Sequence, residues 1–503
     1  MNLYSIPAAL TAAFLICAPI TEAAPRKKNS STKTSGHKKA PTKKTKTNTP
    51  PPAPKLPADP HAPQHHEEAY RTFFSQLEQI AKANGFSIVT PLLTILQTTD
   101  DEFCIDLWMQ RAGDAGNPVA LLYLGKKALL SLPKNNAESQ EARQAVILIK
   151  KAAEKKYAPA MLEYSNCLRE GIGFPANEAA ADKELIAACA GGNFRIRFHW
   201  LLNNGRLEKF EDLKLPEVMS EIKRGNHYIL HHMALLAPTE ALMLQTLDMA
   251  AKMGSDAALY ECHILHQKSD IAKSYKQLTQ AVQLHNPYAI HAMARYYIDP
   301  PISLELNVGS VRNIRDGILF LKIAALLGVP EAAADLAQIY YHGQHGIPTD
   351  VCKSYRHASA GAQASGSPPL VTAQGFMQLC GQGTQQNTQE GLGRLQLAAK
   401  AGYAHAKELL AYAHFRGIGT EQKSSQAIYY LEDAATSKDP FAFIYLALIF
   451  DEGAPDLPAD PKKVDYYLSH AEQVIPGKSK ALFDYFKRRY KKWTMHPFPE
   501  QYF

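Results

Sequence analysis

The sequence predicts an all-α fold, a right-handed α/α superhelical solenoid of about ten to eleven helix-pair repeats that ends in a capping helix. Two patterns of apolar and small residues recur along the chain with a spacing near 36 residues, and such self-similarity is typical of a repeat array. Runs of alternating β-branched residues, which would indicate strands, are few. The hydrophobic content of 46% is ample for burial along a stacked array.

The first pattern describes one helix of each repeat. An anchor residue, usually Ala, is followed by a large apolar residue four positions later and then by a small one, as in Ala406, Leu410 and Ala411. Residues at i, i+4 and i+8 lie on one helical face, and the small residues let a second helix approach closely. A Gly-x-Gly turn, here Gly417 and Gly419, supplies the left-handed conformation that ends the helix.

The second pattern describes the other helix of each repeat. It reads aromatic or apolar, then Ala-Ala four residues later, then Gly three further, as in Phe320, Ala324 and Gly328. The same pattern at Trp108 places part of a repeat before the first anchor. One helix pair cannot bury its own apolar face, so stability comes from the stacking of neighbours. The anchors are Ala120, Ala160, Ile196, Ile229, Ala258, Ala289, Ala332, Leu370, Ala406 and Ala442.

Together the two patterns resemble those of the Sel-one-like repeat (SLR) family, an α/α solenoid related to the tetratricopeptide array. The resemblance covers about residues 101–475. It is strong in the units anchored at Ala160, Ala332, Ala406 and Ala442. It implies an interaction scaffold, usually in bacterial surface, secretion or signalling systems or in protein quality control. The shorter steps between Ile196 and Ala289 leave tetratricopeptide-type units open as the alternative in that stretch.

The N-terminal stretch differs from the repeats. An apolar run that ends at Ile20, followed by the small residues Thr21 and Ala23 at the −3 and −1 positions of a cleavage site, predicts a signal peptide over residues 1–23. Basic residues follow this run instead of preceding it, so a membrane anchor and a cytoplasmic location stay open. Residues 24–66 are rich in Lys, Thr and Pro and predict a disordered linker.

The linker accounts for the positive charge of the chain. Of the 55 Lys and Arg residues, ten lie in residues 24–66, which leaves 45 basic against 46 acidic residues from residue 67 onward. The formal net charge of +7 is therefore a property of the linker and not of the repeats. Either the linker is a solvated spacer, or it contacts anionic envelope polymer or lipid. No signature of a specific nucleic-acid-binding fold accompanies the charge.

Six cysteines remain after the predicted cleavage, and an even number in an exported protein suggests disulfides. Cys352 opens a predicted second helix and Cys380 closes the next first helix, so the two lie about level in an antiparallel hairpin. A disulfide between Cys352 and Cys380 is the candidate, with buried free thiols as the alternative. His227 and His231 are spaced i, i+4, but no carboxylate lies at ligand spacing, so neither a metal site nor a cofactor is predicted.

Motifs for catalysis are weak. The chain lacks both Gly-x-x-x-x-Gly-Lys and Gly-x-Ser-x-Gly. Ser131 and Lys134 have the spacing of a β-lactamase nucleophile and base, and some cysteine-rich SLR relatives are reported to bind or cleave β-lactams, but the partner motifs are missing. The sequence therefore predicts a non-enzymatic scaffold. β-Lactam binding or hydrolysis and a cytoplasmic tetratricopeptide-type adaptor are the alternatives.

Two surfaces are candidates for binding a protein or peptide. The position nine residues after the anchor carries Tyr341 and Phe415, which predicts an aromatic stripe on the concave face, unless both rings pack between repeats. A basic aromatic end with Arg488, Tyr490 and Trp493 is either a cap or a dock for a membrane or an acidic partner.

These predictions divide the mature chain into a repeat region and a short C-terminal part. The repeats occupy residues 67–475, and a capping helix with its tail occupies residues 476–503. The expected location is periplasmic or secreted, and the expected ligand lies on the concave face of the repeats.

Overall fold

In the computed structural model, the chain is built from helices. The structure describes residues 66–83, 85, 87–98, 104–130, 132, 137, 139–437, 439–489 and 495–499. Over these residues it contains 25 α-helices, one 3-10 helix and no β-strand. No helix in this described part is long and apolar enough to cross a membrane. The predicted signal peptide 1–23 and nearly all of the predicted linker 24–66 lie outside the described residues.

The α-helices are α1 (His66–Ala83), α2 (Val89–Thr98), α3 (Cys104–Asp114), α4 (Pro118–Leu130), α5 (Gln140–Glu154), α6 (Ala158–Glu170), α7 (Glu178–Cys189), α8 (Phe194–Asn203), α9 (Pro216–Lys223), α10 (His227–Leu235), α11 (Glu240–Lys252), α12 (Asp256–His266), α13 (Ile271–Gln283), α14 (Pro287–Ile298), α15 (Ile302–Val308), α16 (Ile314–Leu326), α17 (Pro330–His342), α18 (Val351–Ser365), α19 (Pro368–Cys380), α20 (Thr388–Lys400), α21 (Ala404–Arg416), α22 (Ser424–Ala435), α23 (Pro440–Glu452), α24 (Pro461–Val474) and α25 (Ser479–Arg489).

Every predicted anchor occupies the same place in its helix. All ten anchors are the third residue of a helix and are fully buried, at 0% exposure. The helices that carry them, here called A helices, are α4, α6, α8, α10, α12, α14, α17, α19, α21 and α23. Each is followed in its unit by a B helix, namely α5, α7, α9, α11, α13, α16, α18, α20, α22 and α24. The repeat frame is confirmed, including the anchors Ile196 and Leu370, whose motifs are degenerate. Units are numbered from unit 1 at Ala120 to unit 10 at Ala442.

The helices form two layers. Successive helices pack against one another along the chain, and α19 also contacts the A helices of both neighbouring units, α17 and α21. The A layer is the more buried one, since ten successive residues of α19 are buried. A helices therefore form the inner layer and B helices the outer layer of an α/α solenoid. The last helix, α25, packs on α23 and α24 and caps the array.

Small residues five positions after the anchor allow close contact between the two helices of a unit. A Cβ atom added at Gly125 would lie 2.6 Å from Ile149 Cγ1. One added at Gly375 would lie 3.0 Å from the carbonyl oxygen of Gly391 in α20. Larger side chains at these positions would force the helices apart in an interior that is already close-packed. The predicted role of the small residues is confirmed.

The Gly-x-Gly turns end the A helices and also pack on the preceding unit. Gly381 and Gly417 cap α19 and α21 in the left-handed conformation, each with a φ of 68°. The second glycines, Gly383 and Gly419, have the same φ of 68°. A Cβ atom added at Gly383 would lie 2.2 Å from the carbonyl oxygen of Val351, the first residue of α18 in unit 7. The second glycine therefore permits close contact between units, a role that its spacing did not predict.

The repeats are irregular in the middle of the array. The long step from Ala289 to Ala332 contains the extra helix α15, which packs on α13 through the buried Leu304. In unit 3, a 3-10 helix (Phe210–Lys214) precedes α9, which has only 8 residues. These departures lie where the repeat pattern of the sequence is weakest or its step longest.

The array closes back on its N-terminal helices. Helix α2 contacts α16 of unit 6, and α4 contacts α18 of unit 7. Ser87 Oγ lies 2.7 Å from His285 Nδ1 across this junction. A single core cluster combines N-terminal side chains such as Phe73 with side chains of units 6 and 7 such as Leu336. A cleft of about 350 Å³ remains between α4 and helices α16 to α18.

Candidate functional site

The candidate surface lies on the inner A helices of units 7 to 9, namely α17, α19 and α21. Tyr341, a predicted binding residue, lies near the C-terminal end of α17 and is half-buried. Its hydroxyl donates a hydrogen bond at 3.2 Å to Oε1 of Gln382, just after α19. Burial raises the pKa of Tyr341 to about 12, so its hydroxyl keeps its proton at physiological pH.

The chain's own C-terminal segment, residues 495–499, covers this surface. Phe498 is only 6% exposed, and its ring centroid lies 5.7 Å from that of Tyr341 in an edge-to-face arrangement. The ring centroid of His496 lies 6.1 Å from that of Tyr341. Met495 packs in the core cluster of units 8 to 10, whereas Phe498 packs in the cluster of units 7 to 9. The segment therefore runs back along the array from its end toward unit 7.

His405 of α21 binds the backbone of the C-terminal segment. Its Nε2 lies 3.1 Å from the carbonyl oxygen of His496, and its Nδ1 lies 2.8 Å from Oε2 of Glu408. A carbonyl oxygen only accepts, so Nε2 must carry a hydrogen and donate it. The side chains of His405 and Glu408 are both buried.

A second carboxyl group lies beside this pair. Asp439 caps α23, because its Oδ1 accepts a hydrogen bond from the backbone N–H of Phe441 at 2.9 Å. Burial, and then the nearby charge of Glu408, raise the pKa of Asp439 to about 6. The carboxyl groups of Glu408 and Asp439 therefore interact with each other next to His405.

The predicted aromatic stripe is wrong at Phe415. This side chain is 1% exposed and lies in the core cluster of units 8 to 10. The residue before it, His414, is half-buried and stacks on Tyr430 of helix α22 at a centroid distance of 5.6 Å. Asp451, the corresponding residue of unit 10, pairs with Lys487 at 2.8 Å. Tyr341 alone of the two predicted aromatic residues lies at the surface, and the C-terminal segment shields it.

Residues 330–365, 375–403 and 404–439 match the family model of the Sel1 repeat. The chain contains Sel1-like repeats. The matched residues belong to units 7, 8 and 9, whose A helices carry the candidate surface. Sel1 repeat proteins typically act as protein-interaction scaffolds.

Several solved structures are similar to this Sel1-like repeat protein. A protective antigen of uropathogenic Escherichia coli, with an SLR fold, is 18% identical over 83% of this chain and 90% of its own, with a TM-score of 0.45. A Sel1 repeat protein from Oxalobacter formigenes is 16% identical over 50% of this chain and 99% of its own, with a TM-score of 0.37. An immunity protein from Pseudomonas aeruginosa is 18% identical over 44% of this chain and 81% of its own, with a TM-score of 0.29.

All three TM-scores are below 0.5, so the fold assignment rests on the helices of this chain and on its Sel1 match. The search of curated proteins gave no significant match.

The basic aromatic end of the Sel1 array is only partly described. Arg488 lies in the capping helix α25, is exposed, and donates from Nε to the carbonyl oxygen of Asp484 at 3.1 Å. Tyr490 and Trp493 lie outside the described residues. The candidate surface around these three residues stays a prediction.

The candidate disulfide between Cys352 and Cys380 is not formed. Both are free thiols, as are the other four cysteines of the described chain. Cys352 is exposed on α18, whereas Cys380 packs against the core cluster of units 8 to 10. Burial raises the pKa of Cys380 to about 11, which keeps it an unreactive thiol. The two side chains point into different surroundings, although the sequence placed them at about the same level.

The predicted histidine pair lies in the interior of unit 4. Burial lowers the pKa of His227 and of His231 to about 4, so both rings are neutral at physiological pH. Among the described residues, no group of three or more His, Cys, Asp or Glu side chains is arranged to hold a metal ion. Ser131 and Lys134, which have the β-lactamase spacing, lie outside the described residues.

Sequence reasoning missed the C-terminal segment as the occupant of the Sel1 surface. A signal was present, since Phe498 between Pro497 and Pro499 indicates an extended stretch with one large apolar side chain. His405 carried no such signal, because its backbone partner lies 91 residues away along the chain. Only the closure of the tail onto units 7 to 9 brings the two together.

Proposed function

We propose that this Sel1-like repeat protein is a non-enzymatic interaction scaffold of the bacterial cell envelope, periplasmic or secreted. It binds a protein or peptide on the inner A-helix surface of units 7 to 9. The observation that carries the proposal is that this surface already holds a stretch of polypeptide, residues 495–499, through both ring contacts and a backbone hydrogen bond.

The shape of the contact supports a polypeptide ligand over a small molecule. The occupied positions run from Tyr341 in α17 to His405 in α21, and these helices belong to units separated by α19. Adjacent packed helices lie about 10 Å apart, so a ligand that contacts both must be extended. Aromatic anchors such as Tyr341 and Phe498 often dominate the energy of such interfaces.

The location at the cell envelope is proposed from the N-terminal sequence. It is supported by the signal-like residues 1–23 and by the basic linker 24–66, which would keep the array away from the membrane and would contact anionic polymer or lipid. Protease treatment of intact cells tests it. The repeats should be digested after the outer membrane is permeabilised or from the medium, and full protection until lysis would favour the cytoplasmic adaptor.

Photocrosslinking tests the binding surface. A benzophenone amino acid in place of Tyr341 should give a covalent adduct with a second protein in cells. The same replacement at Tyr429, which is 60% exposed on the outer helix α22, is the matched control and should give none. Adducts of equal yield at both positions, or none at Tyr341, would reject this surface as the binding site.

A further inference from the structure

The C-terminal segment contacts the Sel1 array in the way that a bound peptide would. Two large side chains, Met495 and Phe498, are buried at 7% and 6% exposure, and one backbone carbonyl, that of His496, accepts a hydrogen bond from His405. Pro497 is buried between these two contacts, whereas Pro499 is exposed. A side-chain pocket and a backbone donor together fix both the register and the direction of an extended chain.

The pocket is suited to one aromatic ring. The cluster that receives Phe498 consists mainly of alanines, including Ala333, Ala337 and Ala406. Small side chains on neighbouring helices leave a recess that a flat ring fills, with Tyr341 at its edge. A branched aliphatic side chain would make fewer contacts with Tyr341, so the recess prefers Phe, Tyr or Trp.

We infer that units 7 to 9 form a peptide-binding groove, that the C-terminal segment is its resident occupant, and that a partner protein binds by displacing it with a segment in which prolines flank an aromatic residue. This inference rests on the proposed function and adds the chemistry of the partner. Proline before and after the ring fixes φ at two positions of the partner's segment, so the segment loses less conformational freedom on binding.

Displacement is feasible because the resident contact is short. Five residues with one buried ring make a small interface, and an attached segment competes at an effective concentration on the order of millimolar. A partner segment that adds contacts beyond these five residues would bind well enough to replace it. The C-terminal segment then covers the apolar recess until a partner protein binds and displaces it.

Fluorescence anisotropy of a labelled peptide with the sequence of residues 494–503 tests the groove. The full chain with Phe498→Ala should bind this peptide at least about tenfold more tightly than the unaltered chain, because its own tail no longer competes. A peptide with Ala in place of its Phe should bind the variant chain at least about tenfold more weakly. Adding Tyr341→Ala to the variant chain should weaken binding, whereas adding Tyr429→Ala should not.

Three results would overturn the inference. These are no saturable binding to the Phe498→Ala chain, equal binding of the peptide that lacks Phe, and equal losses for Tyr341→Ala and Tyr429→Ala. A dimer of the unaltered chain that Phe498→Ala abolishes would also overturn it, because the groove would then take the tail of a second copy instead of a different partner.

A second readout avoids any destabilised variant. The unaltered chain can carry 4-fluorophenylalanine in place of Phe498, so that its ¹⁹F resonance reports burial of the ring. An excess of the unlabelled peptide should shift this resonance to the position of an exposed ring, and an unchanged resonance would contradict displacement. If the peptide fails but Tyr341 still crosslinks a protein in cells, the scaffold function stands and the peptide chemistry is wrong. If the peptide binds but no crosslink forms, the peptide chemistry stands and the scaffold function is wrong.

Discussion

Gly383→Ala should destabilise the fold far more than Gly402→Ala, although both glycines have a positive φ, of 68° and 86°. A residue with a Cβ atom in this region costs about 1–2 kcal/mol. Nothing lies within 4 Å of a Cβ atom added at Gly402, so this is its whole expected cost. At Gly383 the added atom would meet the carbonyl oxygen of Val351 at 2.2 Å and its carbonyl carbon at 2.6 Å.

Backbone atoms cannot rotate away, so the turn and helix α18 must separate. Overpacking of this kind adds about 1–3 kcal/mol, which brings the expected cost of Gly383→Ala to about 2–5 kcal/mol. Gly393→Ala is the control, because this change should raise the stability of the fold instead of lowering it. Gly393 is exposed inside α20 with nothing within 4 Å of an added Cβ atom, so alanine should stabilise by up to about 1 kcal/mol.

Urea unfolding followed by circular dichroism measures all three variants. They lie in one unit, so neighbouring units contribute alike to each. The expected order of stability is Gly393→Ala, then the unaltered chain, then Gly402→Ala, then Gly383→Ala. Equal losses at Gly402 and Gly383 would show that the turn does not pack on the preceding unit, and the contact between units would have to be reassigned.

Further substitutions test the interior and its charges. Phe415→Ala should lower the free energy of unfolding by about 3–5 kcal/mol in the same assay, as expected of a core residue. A loss below about 1 kcal/mol would show that Phe415 is not buried in the core. Lys126→Ala should cost about 3–5 kcal/mol, because it leaves Glu163, its buried partner at 2.9 Å, without a counter-charge; replacing both by Leu should recover most of the loss. Acidification should destabilise unit 4, because burial lowers the pKa of His227 and His231 to about 4 from a usual 6.5. The unfolded chain binds protons first, so stability is complete above pH 6.5 and is lost as the pH falls toward 4, by several kcal/mol at about 1.4 kcal/mol per unit of pKa shift. Unchanged unfolding midpoints between pH 7 and 4.5 would contradict neutral buried rings.

The repeat frame was predictable because each anchor faces the same packing demand. A residue at the third position of an A helix must fit between two helices. The residue pattern around Ala332 and Ala406 indicates that these two alanines occupy this buried position. Even Ile196, with a degenerate motif, was placed correctly because the spacing carries the information when residue type does not. The left-handed caps of α6, α17, α19 and α21 were predictable from the glycine that follows each helix. Helices α8, α10, α12 and α14 end without such a residue.

Side-chain exposure was less predictable than backbone position. Phe415 and Tyr341 occupy equivalent places in the sequence frame, yet one is buried and the other half-buried. The spacing also gave no account of Gly383, whose contact belongs to the preceding unit. Contacts across long separations, such as His405 with His496, depend on where the array returns on itself, and no local pattern encodes that.

Hydrogen–deuterium exchange of the unaltered chain and of the Phe498→Ala chain measures directly whether the C-terminal segment lies on the Sel1 surface. Faster exchange is expected in residues 495–499, near Tyr341 in α17 and near His405 in α21, with unchanged exchange in α10 and α11 of unit 4. Unchanged exchange at α17 and α21, or an equal increase over all units, would contradict a groove occupied by the chain's own tail.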